Sequence, residues 1–408
     1  MPPRTRKQAN SAPRNAEVEE CEVGGGSSSS SSPLLRGQDA VGQLVLVTGG
    51  GGFLGRYIVE KLVRRGVNVR VFDLRKTWDG EVEAPQDGVV LPGEFPVEER
   101  ERWGSVEFCL GDLTQEKQVQ DACEGVWGVV HVASLTETWG DPNLFRAVNV
   151  VGTQNVLSAC LAHKIGRLVY TSTPSVVIAG SDIRDGKEDM EYPKSFLDHY
   201  TSTKAEAERE VLASNGRNEI LATCALRPHA MYGPRDCHFF PQVLSKAREG
   251  KTKFAVGSQR NVVDFTYVGN AADAHVMALL ALESPTCAVA GQAYFVTNGE
   301  PTKFWTFMRT VLRRMGYPEP TRSLPYSVAY PLAWCMEKAA LLTSRCFKWK
   351  PLLTRYVVCN MCTDHWFSID KARRDFQYEP LVSQDKALDL TVEHYVAQGF
   401  ANSASQQK

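Results

Sequence analysis

Leu44-Val45-Leu46-Val47-Thr48-Gly49-Gly50-Gly51-Gly52-Phe53-Leu54-Gly55 is the stretch whose reading decides the fold. Its opening apolar run suits a strand buried on both faces, and the following Arg56 to Arg65 has the apolar spacing of a helix, so the glycines occupy a strand-to-helix turn. Gly49, Gly52 and Gly55 fall at G-x-x-G-x-x-G spacing. Without β-carbons at those points the backbone can approach a pyrophosphate and the helix can pack closely on the strand. Free N–H groups and the helix dipole at the first turn favour negative charge. A flexible glycine turn is the plain alternative, but the strand-turn-helix context makes Gly49, Gly52, Phe53, Leu54 and Gly55 the phosphate-binding turn of a dinucleotide fold.

The chain downstream extends this pattern. Val69-Arg-Val-Phe-Asp73 reads as a second strand ending in a carboxylate about 20 residues beyond the glycines, where an adenosine ribose needs an acceptor. Asp73 therefore argues for NAD. Arg75 and Lys76 stand near enough to neutralise a 2′-phosphate, so NADP stays open. Further strands are expected at Val106 to Leu110, at Gly125 to His131 and at Arg167 to Tyr170, with a long helical pattern from Leu144 to His163. Such alternation implies right-handed βαβ units and a Rossmann-type, doubly wound parallel α/β sheet whose carboxyl edge carries the site. Asp112 and Leu113 would flank the adenine there, and Val132 and Ala133 would line the dinucleotide. The segment from Lys76 to Gly104, rich in Gly, Pro and acids, reads as an exposed insertion or flap.

Tyr200-Thr-Ser-Thr-Lys204 places a phenol and an ammonium side by side on a helix. A phenol is a poor base at neutral pH, and a nearby cation favours its phenolate, which makes the pair a candidate proton carrier. Alone, a Y-x-x-x-K spacing is more often an ordinary helix face. The glycine turn upstream is what raises it to a candidate site.

Composition bounds the function. The chain has 408 residues, 43% of them hydrophobic, with 46 basic and 47 acidic residues for a formal charge of −1. That is enough for a large α/β unit and a smaller lobe, and it gives no basic excess for a nucleic-acid partner. Of the eleven cysteines only Cys359 and Cys362 have C-x-x-C spacing, without the second pair of a zinc ribbon, so no metal site is expected. Reduced thiols imply a cytosolic or nuclear redox environment. Residues 1–41 are basic and proline-rich, then acidic, then a Gly and Ser run, and should be a disordered tail. A mainly dinucleotide-binding unit over 42–227 and a mainly substrate-binding C-terminal lobe over 228–400, with segments returning to the sheet, would follow.

These motifs together resemble the extended short-chain dehydrogenase/reductases from about Gly42 to Gly399. Val268-Gly269-Asn270-Ala-Ala-Asp-Ala-His275 resembles a signature region of the 3β-hydroxysteroid dehydrogenase/isomerase family. Thr171-Ser-Thr173, Cys224 to Pro234, Leu353-Thr-Arg355 and His365 to Lys371 resemble the 42E branch. The resemblance implies Tyr200 as catalytic acid/base, Lys204 on the nicotinamide ribose lowering the tyrosine pKa, and Thr173 or Ser172 on the reacting oxygen. It places Pro228 to Met231 beside the nicotinamide. His229 then shapes the pocket rather than acting as a base, Asn149 positions a water or a carbonyl or merely packs, and Arg260 with Asp264 forms an internal ion pair or supporting shell.

The expected reaction is NAD-dependent interconversion of a hydroxyl and a ketone on a small apolar, steroid-like alcohol. Phe239, Phe240, Phe265 and Trp305 are candidate apolar groups for that pocket. A nucleotide-sugar epimerase or dehydratase, or a catalytically silent NAD(P)-binding regulator, is the alternative, and a homodimer is compatible with the family. Leu324 to Met336 and Ala339 to Leu342, interrupted by charges and prolines, fall short of a span of about 20 residues. They are expected as a helix of the C-terminal lobe or as a peripheral membrane anchor flanked by the basic stretch Arg345 to Lys350, which suits a cytoplasmic enzyme on the cytosolic face of the endoplasmic reticulum.

Overall fold

The computed structural model describes residues 38–402 apart from 86, 138 and 344–348. The expected N-terminal tail lies almost wholly outside the described residues. Its final positions do not belong to a tail, because Ala40 is buried in the core beside the first strand.

Seven strands form the central sheet: β1 (Leu44–Thr48), β2 (Asn68–Asp73), β3 (Val106–Leu110), β4 (Gly128–His131), β5 (Arg167–Thr171), β6 (Ala222–Pro228) and β7 (Gln292–Val296). Their spatial order is β7-β6-β5-β4-β1-β2-β3 and every neighbouring pair is parallel. This is the Rossmann-type doubly wound α/β sheet. Its central strands are apolar almost throughout, since helices cover both faces, and Val45, Leu46 and Val47 are fully buried. Strand order reverses between β1 and β4, so the connections leave in opposite directions and a crevice opens at the carboxyl ends.

The strand expected from Gly125 begins only at Gly128, because Gly125 takes a left-handed φ of +72° in the turn that Cys123 and Val126 close. The long helical pattern resolves into Pro142–Arg146, a π-helical turn Ala147–Val151 and Gly152–Ala162 in direct succession. Helix α1 (Phe53–Arg64) buries Leu54, Ile58, Val59 and Leu62. The insertion after β2 is no free flap. Trp78, Val82 and Leu91 are buried, Arg64 on α1 pairs with Glu94 at 3.3 Å, and the Arg56 guanidinium sits 4.7 Å over the Trp78 ring. Sparse apolar residues among many acids and prolines hide this anchoring in the sequence.

Four helices complete the frame of the site: α2 (His199–Ala213), α3 (Val268–Ala281), α4 (Tyr326–Thr343) and α5 (Arg355–Cys362). Helix α3 is buried almost all round, and its small side chains let it lie closely on α1, where Lys61 meets Asp273 at 2.6 Å. A second sheet joins Thr302–Lys303, Val262–Val263, His365–Phe367 and Ile183–Gly186 in that order, which draws late segments beneath the crevice. On α4, Ala329, Ala333, Glu337 and Ala340 form the buried stripe, and Glu337 accepts from the Arg355 guanidinium and backbone N–H of α5, both at 2.7 Å. Among the described residues no helix is long and apolar enough to cross a membrane.

Candidate active site

The glycine turn is a cradle that a side chain would fill. Gly49 has φ +67°, and a β-carbon on it would lie 2.8 Å from the Ala133 Cα; one on Gly55 would lie 2.1 Å from the Gly49 carbonyl oxygen. Gly52 begins α1 and no side chain caps that end, so the first-turn N–H groups are available to an anion. Asp73 is fixed at the end of β2: its Oδ2 accepts from the Gly51 N–H at 3.1 Å and its Oδ1 from the Leu74 N–H at 2.8 Å. Arg75 is exposed, and the Lys76 ammonium is parked 4.7 Å over the Phe108 ring. The site therefore fits a dinucleotide with a free 2′-hydroxyl.

One cavity of about 630 Å³ runs along the carboxyl edge of the sheet. The candidates for catalysis and cofactor binding line it: the glycine turn with Phe53 and Leu54, Asp73, Asp112, Leu113, Val132, Ala133, Ser172, Thr173, Tyr200, Lys204 and Pro228. Phe239 and Phe265 add apolar wall, with Phe304 and Met231, whereas Phe240 and Trp305 are core residues that the cavity does not reach.

Tyr200 is placed by a helix cap. Asp198 accepts from the Thr201 N–H at 2.7 Å and from its hydroxyl at 2.9 Å, starting α2 two residues before the phenol. One turn on, Lys204 is buried, donates to the Thr171 carbonyl at 2.5 Å and lies 4.2 Å over the Tyr170 ring. Burial lowers its pKa to about 7, while Glu208 acts in the opposite direction. The Tyr200 pKa is raised, chiefly by burial and then by the nearby Tyr356, with the Thr173 hydroxyl pulling it back down. The Lys204 ammonium is turned to the Thr171 carbonyl at the end of β5. Helix α2 is locked to β6 by the buried Glu208–Arg227 pair, with contacts of 2.5 and 3.0 Å.

Thr173 and Ser172 separate by direction. The Thr173 hydroxyl lowers the Tyr200 pKa and accepts from the Ser175 N–H at 3.3 Å, whereas that of Ser172 lowers the Glu208 pKa and is buried without a hydrogen bond of its own among the described residues. Asn149, in the π turn, clamps Leu135: its Oδ1 accepts the Leu135 N–H at 2.8 Å, and its Nδ2 donates to the Leu135 carbonyl at 3.2 Å and to the Thr203 hydroxyl at 3.1 Å. His229 contacts the Asp264 carbonyl at 2.7 Å through Nδ1 and His365 at 3.0 Å through Nε2. Burial, reinforced by His365, lowers its pKa to about 3, which suits a pocket wall rather than a base. Asp264 and Arg260 do not pair: Arg260 is exposed, and Asp264 accepts from the Phe367 N–H at 2.8 Å.

Several cavity residues escape a reading of the sequence. Ser175 lies two residues past Thr173 and shares its local motif. Tyr356, Asn360 and His365 arrive from the far end of the chain, and spacing gives no sign of them.

A parallel sheet with a glycine cradle at its switch point and a Tyr–Lys pair beside it defines a dinucleotide-dependent oxidoreductase of the short-chain type. The chain belongs to the 3-beta hydroxysteroid dehydrogenase/isomerase family, whose model matches residues 46–326. It is 36% identical over 349 residues to the sterol-4-alpha-carboxylate 3-dehydrogenase, decarboxylating, of Mus musculus, covering 86% of this chain and 90% of that one. It is 34% identical to short-chain dehydrogenase/reductase family 42E member 1 of Danio rerio, covering 88% of this chain and 90% of the relative. Among solved structures it resembles the Thermus thermophilus UDP-glucose 4-epimerase in complex with NAD, at a TM-score of 0.60 and 25% identity over 87% of this chain and 99% of that one.

Proposed function

We propose that this chain interconverts a secondary hydroxyl and a ketone on a steroid or sterol-like substrate, with NAD as cofactor. The observation that carries this reading is the placement of Tyr200, Thr173 and Lys204 on one wall of the dinucleotide cavity, with Phe239, Phe265 and Phe304 on the same cavity. An apolar lining with a few convergent polar groups suits a sterol skeleton that bears one reacting oxygen. The sterol named for the mouse relative supports the same substrate class.

Gly49, Gly52 and Gly55 would hold the pyrophosphate, Asp73 the adenosine ribose, Asp112 and Leu113 the adenine, and Val132, Ala133 and Pro228 the rest of the dinucleotide. NAD, when bound, supplies a hydride acceptor. In oxidation the Tyr200 phenolic oxygen takes the hydroxyl proton, and in reduction it returns that proton to the carbonyl oxygen. Thr173 donates a hydrogen bond to the same oxygen. Burial, with Tyr356 beside it, favours the protonated phenol, so the Lys204 charge would serve to offset that burial and to hold the ribose.

The outer face of α4 supports peripheral contact with a lipid surface, of the kind offered by the cytosolic side of the endoplasmic reticulum. Val328, Leu332, Trp334 and Leu342 are exposed there, and Lys338 stands beside Trp334.

The test is turnover. Hydroxysteroids with NAD, followed at the absorbance band of the reduced cofactor, should give a rate that Tyr200→Phe lowers by about 10²- to 10⁴-fold with cofactor binding retained. A Tyr200→Phe enzyme that keeps half the wild-type rate would sink the mechanism.

A further inference from the structure

Two cations stand near the adenosine end of the cavity, and aromatic rings hold both of them. Phe72, Asp73, Leu74, Gly111 and Asp112 line that end, and neither Arg56 nor Lys76 is among the cavity residues. Lys76 follows Asp73 by three positions, yet its ammonium lies 4.7 Å over the ring of Phe108 on β3. Arg56, in the first turn of α1, has its guanidinium 4.7 Å over the Trp78 ring and donates to Glu60 at 3.0 Å. The two rings meet edge to face, with centroids 5.7 Å apart.

The chain that carries Lys76 is pinned against the glycine turn. The Thr77 hydroxyl donates to the Gly51 carbonyl at 2.7 Å. A β-carbon on Gly51 would lie 2.6 Å from that hydroxyl oxygen and 3.0 Å from Asp73 Oδ2, so Thr77 and the carboxylate flank one point. The Lys76 side chain therefore leaves from a fixed place beside Asp73, where opposite charges would ordinarily draw it to the carboxylate. Asp73 instead accepts from the Gly51 and Leu74 N–H groups and makes no ion pair among the described residues. The Phe108 ring is itself fixed. Trp78 beside it is buried, and a β-carbon on Gly80 would lie 3.0 Å from the ring edge. A cation over an aromatic face is held by the ring quadrupole, which supplies the force that keeps Lys76 where it is.

We propose that Phe108 is a specificity-determining residue for the cofactor: its ring keeps the Lys76 ammonium from the adenosine ribose, so the site takes NAD and turns away the 2′-phosphorylated form. Asp73 repels a 2′-phosphate, and Phe108 withholds the cation that would offset the repulsion. Selectivity is thus shared between neighbouring strands, β2 with Asp73 and β3 with Phe108. The contribution of Phe108 rests on the reading of Asp73 as the ribose acceptor.

The ratio of the NADP to the NAD dissociation constant, taken by calorimetry on the intact chain, tests this, because a general loss of cofactor affinity cancels from it. Phe108→Leu keeps the apolar bulk and removes the ring face. It should lower the ratio about three- to fivefold, the size of an exposed cation–π contact, and added salt should erase the change. Phe108→Tyr keeps a ring face and should match wild type. Lys76→Met alone should leave the ratio near wild type, and Phe108→Leu combined with Lys76→Met should return to it. An unmoved ratio in Phe108→Leu, or a drop that survives Lys76→Met, overturns the proposal. Asp73→Ala in the same series separates the two ideas. An unmoved ratio there defeats the ribose reading, whereas a lowered ratio there beside an unmoved Phe108→Leu defeats only the role of Phe108.

Discussion

Lys204 carries an electrostatic load that can be measured without any substrate. Its ammonium has an ordinary pKa of 10.5 and is held down to about 7 by burial. Between those values the unfolded chain binds more protons than the folded one, so this residue makes stability rise with pH across the window, and its penalty is fully present below about 7. Lys204→Met should therefore raise the unfolding free energy of the cofactor-free protein, read by urea titration, on the order of a few kcal/mol at pH 6.5 and by much less at pH 9.5. Equal shifts at both pH values would mean that the Thr171 carbonyl fully compensates the charge. Asp73 gives a second prediction at this scale. Asp73→Ala removes the acceptor of the Gly51 and Leu74 N–H groups together with the proposed ribose contact, so NAD affinity should fall by at least tenfold, about 1.4 kcal/mol, while NADP loses less. Calorimetry with both cofactors decides it, and equal losses would remove Asp73 from the ribose pocket. Asp73, Tyr200, Lys204 and the glycines are legible in the sequence because each announces itself by spacing within a single strand, turn or helix. Tyr356 and His365 are not, because only tertiary folding brings them to the cavity.

Secondary-structure elements are readable to the extent that burial imposes a period on them. Strands β1, β4 and β5 are covered on both faces and read as apolar runs, while the helix after the glycines shows its apolar stripe directly. The segment between β2 and β3 reads as a flap because it packs through isolated residues, and isolated residues have no period. Nor does the sequence around Asn149 disclose the π turn that aims its amide at Leu135. At the start of α2 a single side chain sets the register: Asp198 caps the helix, and Tyr200 sits in its first turn. Asp198→Ala should lower stability by about 1 kcal/mol, read as a shift in denaturation midpoint, and should reduce turnover by more than NAD affinity. Asp198→Asn retains an acceptor and should recover most of the stability. If Asp198→Ala is silent in both measurements, the cap does not position the phenol.

At the scale of the whole molecule, one face stands out by its apolar surface. Helix α4 is apolar on more than its packed side: alanines form most of the stripe against α5, and the larger residues Val328, Leu332, Trp334 and Leu342 point outward, Leu342 with 83% of its surface exposed. A helix apolar all round normally belongs in a core, so an outward face of this kind marks a contact surface. Trp334 beside Lys338, and Trp349 beside Lys350, provide the aromatic and basic groups that suit the headgroup region. Helix α4 packs on α5, and α5 supplies Tyr356 and Asn360 to the cavity, so the outward face of α4 lies one helix away from the cavity wall. The protein should co-sediment with vesicles containing anionic lipid, and the double change Trp334→Glu and Leu342→Glu should release it while leaving NAD affinity unchanged. With a sterol substrate presented in vesicles the double variant should show a raised KM, and with a detergent-dispersed substrate the two enzymes should match. Equal vesicle binding by wild type and variant would remove α4 as the membrane face.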